Sequence, residues 1–96
     1  MEKNRVLSIL QQHQSELQRM GLSSLSLFGS LARDQSTDSS DIDLLASYSD
    51  TLSLIDVVHA ENYLRDLFER PVQLVNSPSL RPSIRDRITA ESVRVF

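Results

Sequence analysis

Residues 25–45 read LSLFGSLARDQSTDSSDIDLL, and this stretch decides the fold. An alternating run ending at Phe28 breaks at Gly29-Ser30, a polar segment follows, and a second apolar run opens around Asp41-Ile42-Asp43. Alternation over 24–28 predicts a buried strand, and the run over 41–48 predicts its neighbour. A strand sends successive side chains to opposite faces, so Asp41 and Asp43 project together while Ile42 and Leu44 turn the other way. Two carboxylates on one edge repel each other unless a cation lies between them. Hard oxygen ligands of this kind suit Mg²⁺ or Mn²⁺.

The break between the runs has its own chemistry. Gly29 permits a sharp turn and a close approach to the main chain, and Ser30 stands where an N-cap would open a short helix over 30–34. Unpaired amides at such a start face an anion, and Arg33 adds a charged fork that fits phosphate oxygens. The pattern is not a Walker loop, because no Gly-Lys-Ser/Thr follows. It is not a dinucleotide fingerprint either, because the second and third glycines are missing.

The flanking sequence predicts alternating elements. Val6, Leu7, Leu10, Leu17 and Met20 recur at helical spacing over residues 3–20, with Gly21 as the stop. Residues 35–40 form a polar loop, and Ser53 to Glu69 carries Leu54, Val57, Val58, Leu64, Leu67 and Phe68 as an amphipathic helix. Pro71 ends that helix and residues 71–75 form a third strand. Asn76-Ser77-Pro78 turns the chain, and Ile84, Ile88 and Val93 mark a last helix running into a terminal strand at Val93–Phe96. The expectation is an α+β protein, a small mixed sheet flanked by helices, in one domain spanning 1–96.

Composition narrows the function classes. No cysteine is present, which removes disulfides and thiolate metal sites and agrees with a reducing cytoplasm. No apolar run reaches the roughly 18 residues of a membrane span. A net charge of −3 argues against a broad nucleic-acid surface, so no direct nucleic-acid binding is expected. The C-terminal part is locally basic through Arg81, Arg85, Arg87 and Arg94, which reads first as a solvated helix face and second as a contact for an acidic partner. His13 and His59 lack the paired spacing of a metal site and read as packing or surface residues. Tyr48 and Tyr63 read as half-buried amphipathic side chains. A haloacid-dehalogenase-like phosphatase needs Thr or Val where Leu44 stands. An EF-hand needs a closing Glu that does not follow.

Gly29-Ser30, a gap of ten residues, then Asp41-Ile42-Asp43-Leu44-Leu45 resembles the signature of the DNA polymerase β nucleotidyltransferase superfamily, and the length points to its minimal nucleotidyltransferase branch. Arg33, Ser40 and the downstream run Arg70-Pro71-Val72-Gln73-Leu74-Val75 with Leu80-Arg81-Pro82 also match that branch. The resemblance implies that Gly29, Ser30, Arg33 and Ser40 bind nucleotide and that Asp41 and Asp43 are catalytic and hold Mg²⁺ or Mn²⁺. It implies transfer of AMP from ATP to a protein acceptor, with a HEPN-type toxin as partner in a hetero-oligomer and this chain as its antitoxin. Where the branch carries a third carboxylate on its later strand, this chain has Gln73, which cannot accept a proton. Asp38, Asp50 and Asp56 are the carboxylates nearest in sequence to take that role. Two readings follow, an AMP-transferring enzyme weakened at Gln73, or a binding module of the same fold that neutralises its partner by contact.

Overall fold

In the computed structural model, which describes residues 2–35, 41–49 and 51–96, the frame is one antiparallel pair. β1 (Leu22–Phe28) runs against β2 (Ile42–Tyr48), with Leu25 opposite Ala46, Leu27 opposite Leu44 and Phe28 opposite Asp43. β3 (Val72–Asn76) lies parallel to β2, pairing Ile42 with Val72 and Asp43 with Gln73. Parallel neighbours need a long crossover, and α3 (Leu54–Phe68) provides it. β4 (Val93–Arg94) pairs antiparallel with β1 and completes the order β3-β2-β1-β4. The α+β expectation of a mixed sheet flanked by helices therefore holds, terminal strand included.

Register divides the sheet into two chemically different faces. One carries Leu25, Leu27, Ile42 and Leu44, all fully buried, against Val6 and Leu10 of α1 (Lys3–Gln12), Leu17 of α2 (Gln14–Arg19) and Leu64 of α3. The opposite face carries Ser24, Ser26 and Phe28 from β1, Asp43, Leu45 and Ser47 from β2, and Gln73 from β3. α4 (Pro82–Glu91) has no buried residue and lies over this second face.

Four sequence expectations need correction. The helix expected over 3–20 breaks at His13, whose Nδ1 lies 2.6 Å from the Tyr63 hydroxyl of α3 and whose ring meets the Tyr63 ring edge-on. His13 thus packs, as expected of it. The first strand begins at Leu22 rather than 24, because an irregularity between Leu22 and Ser24 interrupts the alternation, with the Ser23 hydroxyl donating to the Ser47 carbonyl at 2.7 Å. The expected apolar stripe of α3 is split: Ala60, Leu64 and Phe68 are buried, whereas Leu54 (78% exposed) and Val58 (43%) face outward. On α4, Ile84 is exposed rather than inward-facing. Among the described residues no helix is long and apolar enough to cross a membrane.

Helix ends follow their local chemistry. Gly21, at φ +106°, stops α2 where an added Cβ would press on the Leu52 side chain. Ser53 caps α3 by accepting the Asp56 N–H, while the Asp56 carboxylate accepts the Ser53 N–H at 3.2 Å. Glu69 closes the helix in the left-handed conformation. Ser53→Ala is expected to cost about 1 kcal/mol, lowering the melting temperature by roughly 4–8 °C, whereas Leu64→Ala at a fully buried position costs about 2–5 kcal/mol. Thermal and urea denaturation followed by circular dichroism check both values.

Candidate active site

The site begins with a steric requirement at the end of β1. Phe28 stands opposite Asp43, so the next residue passes directly over the Asp43 carboxylate. That residue is Gly29, at φ +78°, and a Cβ there would overlap Asp43 Oδ2 and lie 3.1 Å from its Cγ. Only glycine satisfies both the conformation and the space. The main chain and a carboxylate are thereby held in contact.

After Gly29 the chain makes a hydrogen-bonded turn rather than the short helix expected over 30–34. The N–H groups of Arg33, Asp34 and Gln35 donate to the carbonyls of Gly29, Leu31 and Ser30 at 3.2, 3.2 and 2.8 Å. Asp34 adopts φ +58°, which ends any helical propagation. Leu31 and Ala32 drop into the core and anchor the turn from below. The N–H groups of Ser30, Leu31 and Ala32 find no acceptor among the described residues. Successive amides with no acceptor among the described residues are groups that can receive an anion, as those of a helix start can. Lys3 of α1 pairs with Asp34 at 3.1 Å and holds the outer side of the turn.

Charge gathers beside these amides. Asp41 is exposed immediately before β2, and Asp43 is half-buried within it. Burial raises the Asp43 carboxyl above its ordinary pKa, the Asp41 charge raises it further, and the Arg33 guanidinium acts in the opposite direction. Asp41 and Arg33 thus each lie within electrostatic reach of Asp43. The Arg33 Nη1 also binds both carboxylate oxygens of Glu91 on α4, at 3.1 and 3.2 Å, while its Nε donates to Gln35 at 3.2 Å. Glu91 lies 58 residues away and gave no sign of this contact in the sequence.

Gln73 is exposed and is the register partner of Asp43 on the same sheet face. Asp56 is occupied in the α3 cap. Ser40, Asp38 and Asp50 lie outside the described residues. His59 is exposed on α3. Among the described residues no group of three or more His, Cys, Asp and Glu side chains could hold a metal ion. Asp41 and Asp43 offer hard oxygen donors whose repulsion a divalent cation would relieve, which fits Mg²⁺ or Mn²⁺.

The sequence profile of the family described as polymerase beta, nucleotidyltransferase matches residues 6–96. A Thermococcus cleftensis protein named protein adenylyltransferase MntA is 35% identical over 89 residues, covering 92% of this chain and 90% of its own length. A solved structure provisionally assigned as a minimal nucleotidyltransferase superposes with a TM-score of 0.85 at 26% identity, over 97% of this chain and 95% of the other. A chain from the complex of tri-AMPylated Shewanella oneidensis HEPN toxin with MNT antitoxin shares the fold, with a TM-score of 0.67 at 19% identity over 94% of this chain and 71% of that one.

Two predictions follow from the packed carboxylate. In metal-free buffer the folded state holds the Asp43 proton more tightly than the unfolded chain does, because its pKa lies above the ordinary 3.8. Stability therefore falls as pH rises from 3.8 through the elevated folded value, and Asp43→Asn removes that loss. Melting curves in chelator at acid and neutral pH are expected to show the variant more stable than the native chain at neutral pH, with the gap closing in acid. Gly29→Ala is expected to destabilise by roughly 1–3 kcal/mol through its backbone conformation, with overlap on Asp43 adding to this. An Asp43→Ala background restores the overlap part and leaves the backbone part, which a double-mutant cycle separates.

Proposed function

This chain belongs to the polymerase β nucleotidyltransferase family, and on that premise we propose that it transfers AMP from ATP to a hydroxyl of a protein acceptor, a HEPN-type toxin that it joins in a hetero-oligomer as antitoxin. It acts as a single minimal domain over 1–96 in the cytoplasm. The observation that carries this reading is the packing of the Gly29 turn on Asp43, which sets main-chain amides with no acceptor among the described residues beside the Asp41 and Asp43 carboxylates. Triphosphate recognition and charge neutralisation need those two groups side by side.

Each residue then has a role. The amides from Ser30 onward and the Ser30 hydroxyl bind the β and γ phosphates, Arg33 adds charge-assisted bonds, and Ser40 is assigned to the same ligand. Asp41 and Asp43 hold Mg²⁺ or Mn²⁺, which when bound neutralises phosphate charge and aligns the oxygens. The acceptor oxygen bonds to the α-phosphorus, the bond from that phosphorus to the bridging oxygen breaks, and pyrophosphate departs with those electrons. The acceptor's proton has to leave as the new bond forms. Gln73, beside Asp43, offers only a neutral amide oxygen where a carboxylate would take that proton. Gln73 also supports the second reading, a catalytically weak module that neutralises the toxin by contact.

Calorimetry is expected to show ATP binding that depends on Mg²⁺ and weakens in Asp41→Asn and Asp43→Asn. Ser30→Ala is expected to lose about 0.5–1.5 kcal/mol of that binding. Equal affinities for ATP in all these cases would remove the nucleotide from this site. Gln73→Asp is expected to accelerate AMP transfer to the partner at least about tenfold, equivalent to roughly 1.4 kcal/mol of barrier, read as mass added to the partner over time. Native transfer as fast as the variant's would assign the proton to another group. Tight partner binding with no transfer by either protein would establish the contact-only reading.

A further inference from the structure

The second sheet face continues past Asp43 into a groove of about 350 Å³ between the strands and α4. Its floor is Leu45 of β2. Hydroxyls surround that floor: Ser24 and Ser26 from β1, Ser47 from β2, Ser77 after β3 and Thr89 from α4. One charged side chain reaches the groove, Arg85, whose guanidinium has no ion pair or side-chain hydrogen bond among the described residues. Lys3, Arg19, Arg33 and Arg65 are engaged with carboxylates, whereas Arg5, Arg81, Arg87 and Arg94, also without an ion pair among the described residues, are exposed and do not line the groove.

A lone cation ringed by hydroxyl donors is a receptor for an anion. The anion is not that of ATP, if the triphosphate occupies the amides after Gly29, since the remaining adenosine is uncharged. Strand geometry gives the distance. Leu45 and Ser47 follow Asp43 on the same face by two and four residues, which places them about 7 and 13 Å along the strand. An extended polypeptide crosses that span in two to four residues.

We propose that this groove is an acceptor-anchoring subsite, in which Arg85 binds an anionic group carried two to four residues from the hydroxyl that receives AMP. The assignment rests on the transfer reading above and adds to it the substrate feature selected. The shared chemistry is a carboxylate or a phosphate on the acceptor, and the test separates the two.

Inorganic phosphate is titrated into ¹⁵N-labelled protein and the amide resonances are followed residue by residue. Ser24, Ser26, Ser47 and Ser77 are expected to shift saturably, and Arg85→Ala to weaken that response at least tenfold while leaving the response at Gly29 and Ser30 unchanged. ATP affinity by calorimetry is expected to stay within twofold in Arg85→Ala. Acceptor peptides carrying Glu three residues from the hydroxyl that receives AMP are expected to show a KM at least fivefold below their Gln counterparts, a preference lost in Arg85→Ala. A phosphoserine peptide with a lower KM than the Glu peptide would name phosphate as the anion, and the reverse order would name carboxylate. Silent groove resonances, or an unchanged groove response in Arg85→Ala, would overturn the site. A large fall in ATP affinity in that variant would overturn the acceptor assignment by giving the groove to the nucleotide. Absence of AMP transfer from the native chain with the groove response intact would overturn the transfer reading and leave the anion site standing.

Discussion

The contact between Gly29 and the Asp43 carboxylate is the constraint on which the rest of the site depends. It exists because Phe28 and Asp43 are register partners, so the turn leaving β1 must cross the carboxylate on β2. Register itself is fixed by the apolar pairs Leu25 with Ala46 and Leu27 with Leu44, which a one-residue slip would move out of the core. Core packing on one side of the sheet therefore sets the chemistry on the other to within a side chain.

That arrangement places cost and use in the same atoms. A half-buried carboxylate next to a second one is unfavourable to the folded chain, and the rise in the Asp43 pKa expresses the strain. Three helices supply the compensation through Val6, Leu10, Leu17 and Leu64, all fully buried against the opposite sheet face. A chain of this size has a small core, so the site draws on a limited reserve of stability.

Much of this was legible along the chain because it is local. Period-two alternation, a Gly-Ser break and an Asp-x-Asp strand start are short-range patterns, and they located both central strands, the turn and the acidic pair. The Ser53 to Glu69 helix was equally plain, since its apolar residues recur at helical spacing. What escaped was set by partners distant in sequence. Tyr63 meets the break at His13, the Ser47 carbonyl receives the Ser23 hydroxyl at the irregular start of β1, and Glu91 binds Arg33. The outward turn of Leu54 and Val58 was hidden because an apolar residue carries no mark of which side of a helix will find a neighbour. The turn at 30–34 looked helical because only the left-handed Asp34 distinguishes it from a helix start.

The Arg33–Glu91 pair joins the turn after Gly29 to a helix that has no fully buried residue. Arg33 gives Nη1 to Glu91 and Nε to Gln35, and its Nη2 takes no acceptor among the described residues, so an anion seating in the turn would share one cation with Glu91 and repel it. Occupancy of the turn and docking of α4 are then linked equilibria, and each loosens the other by an equal factor. The C-terminal helix becomes a gauge of whether the turn is filled, readable from outside the site by whatever rests against it.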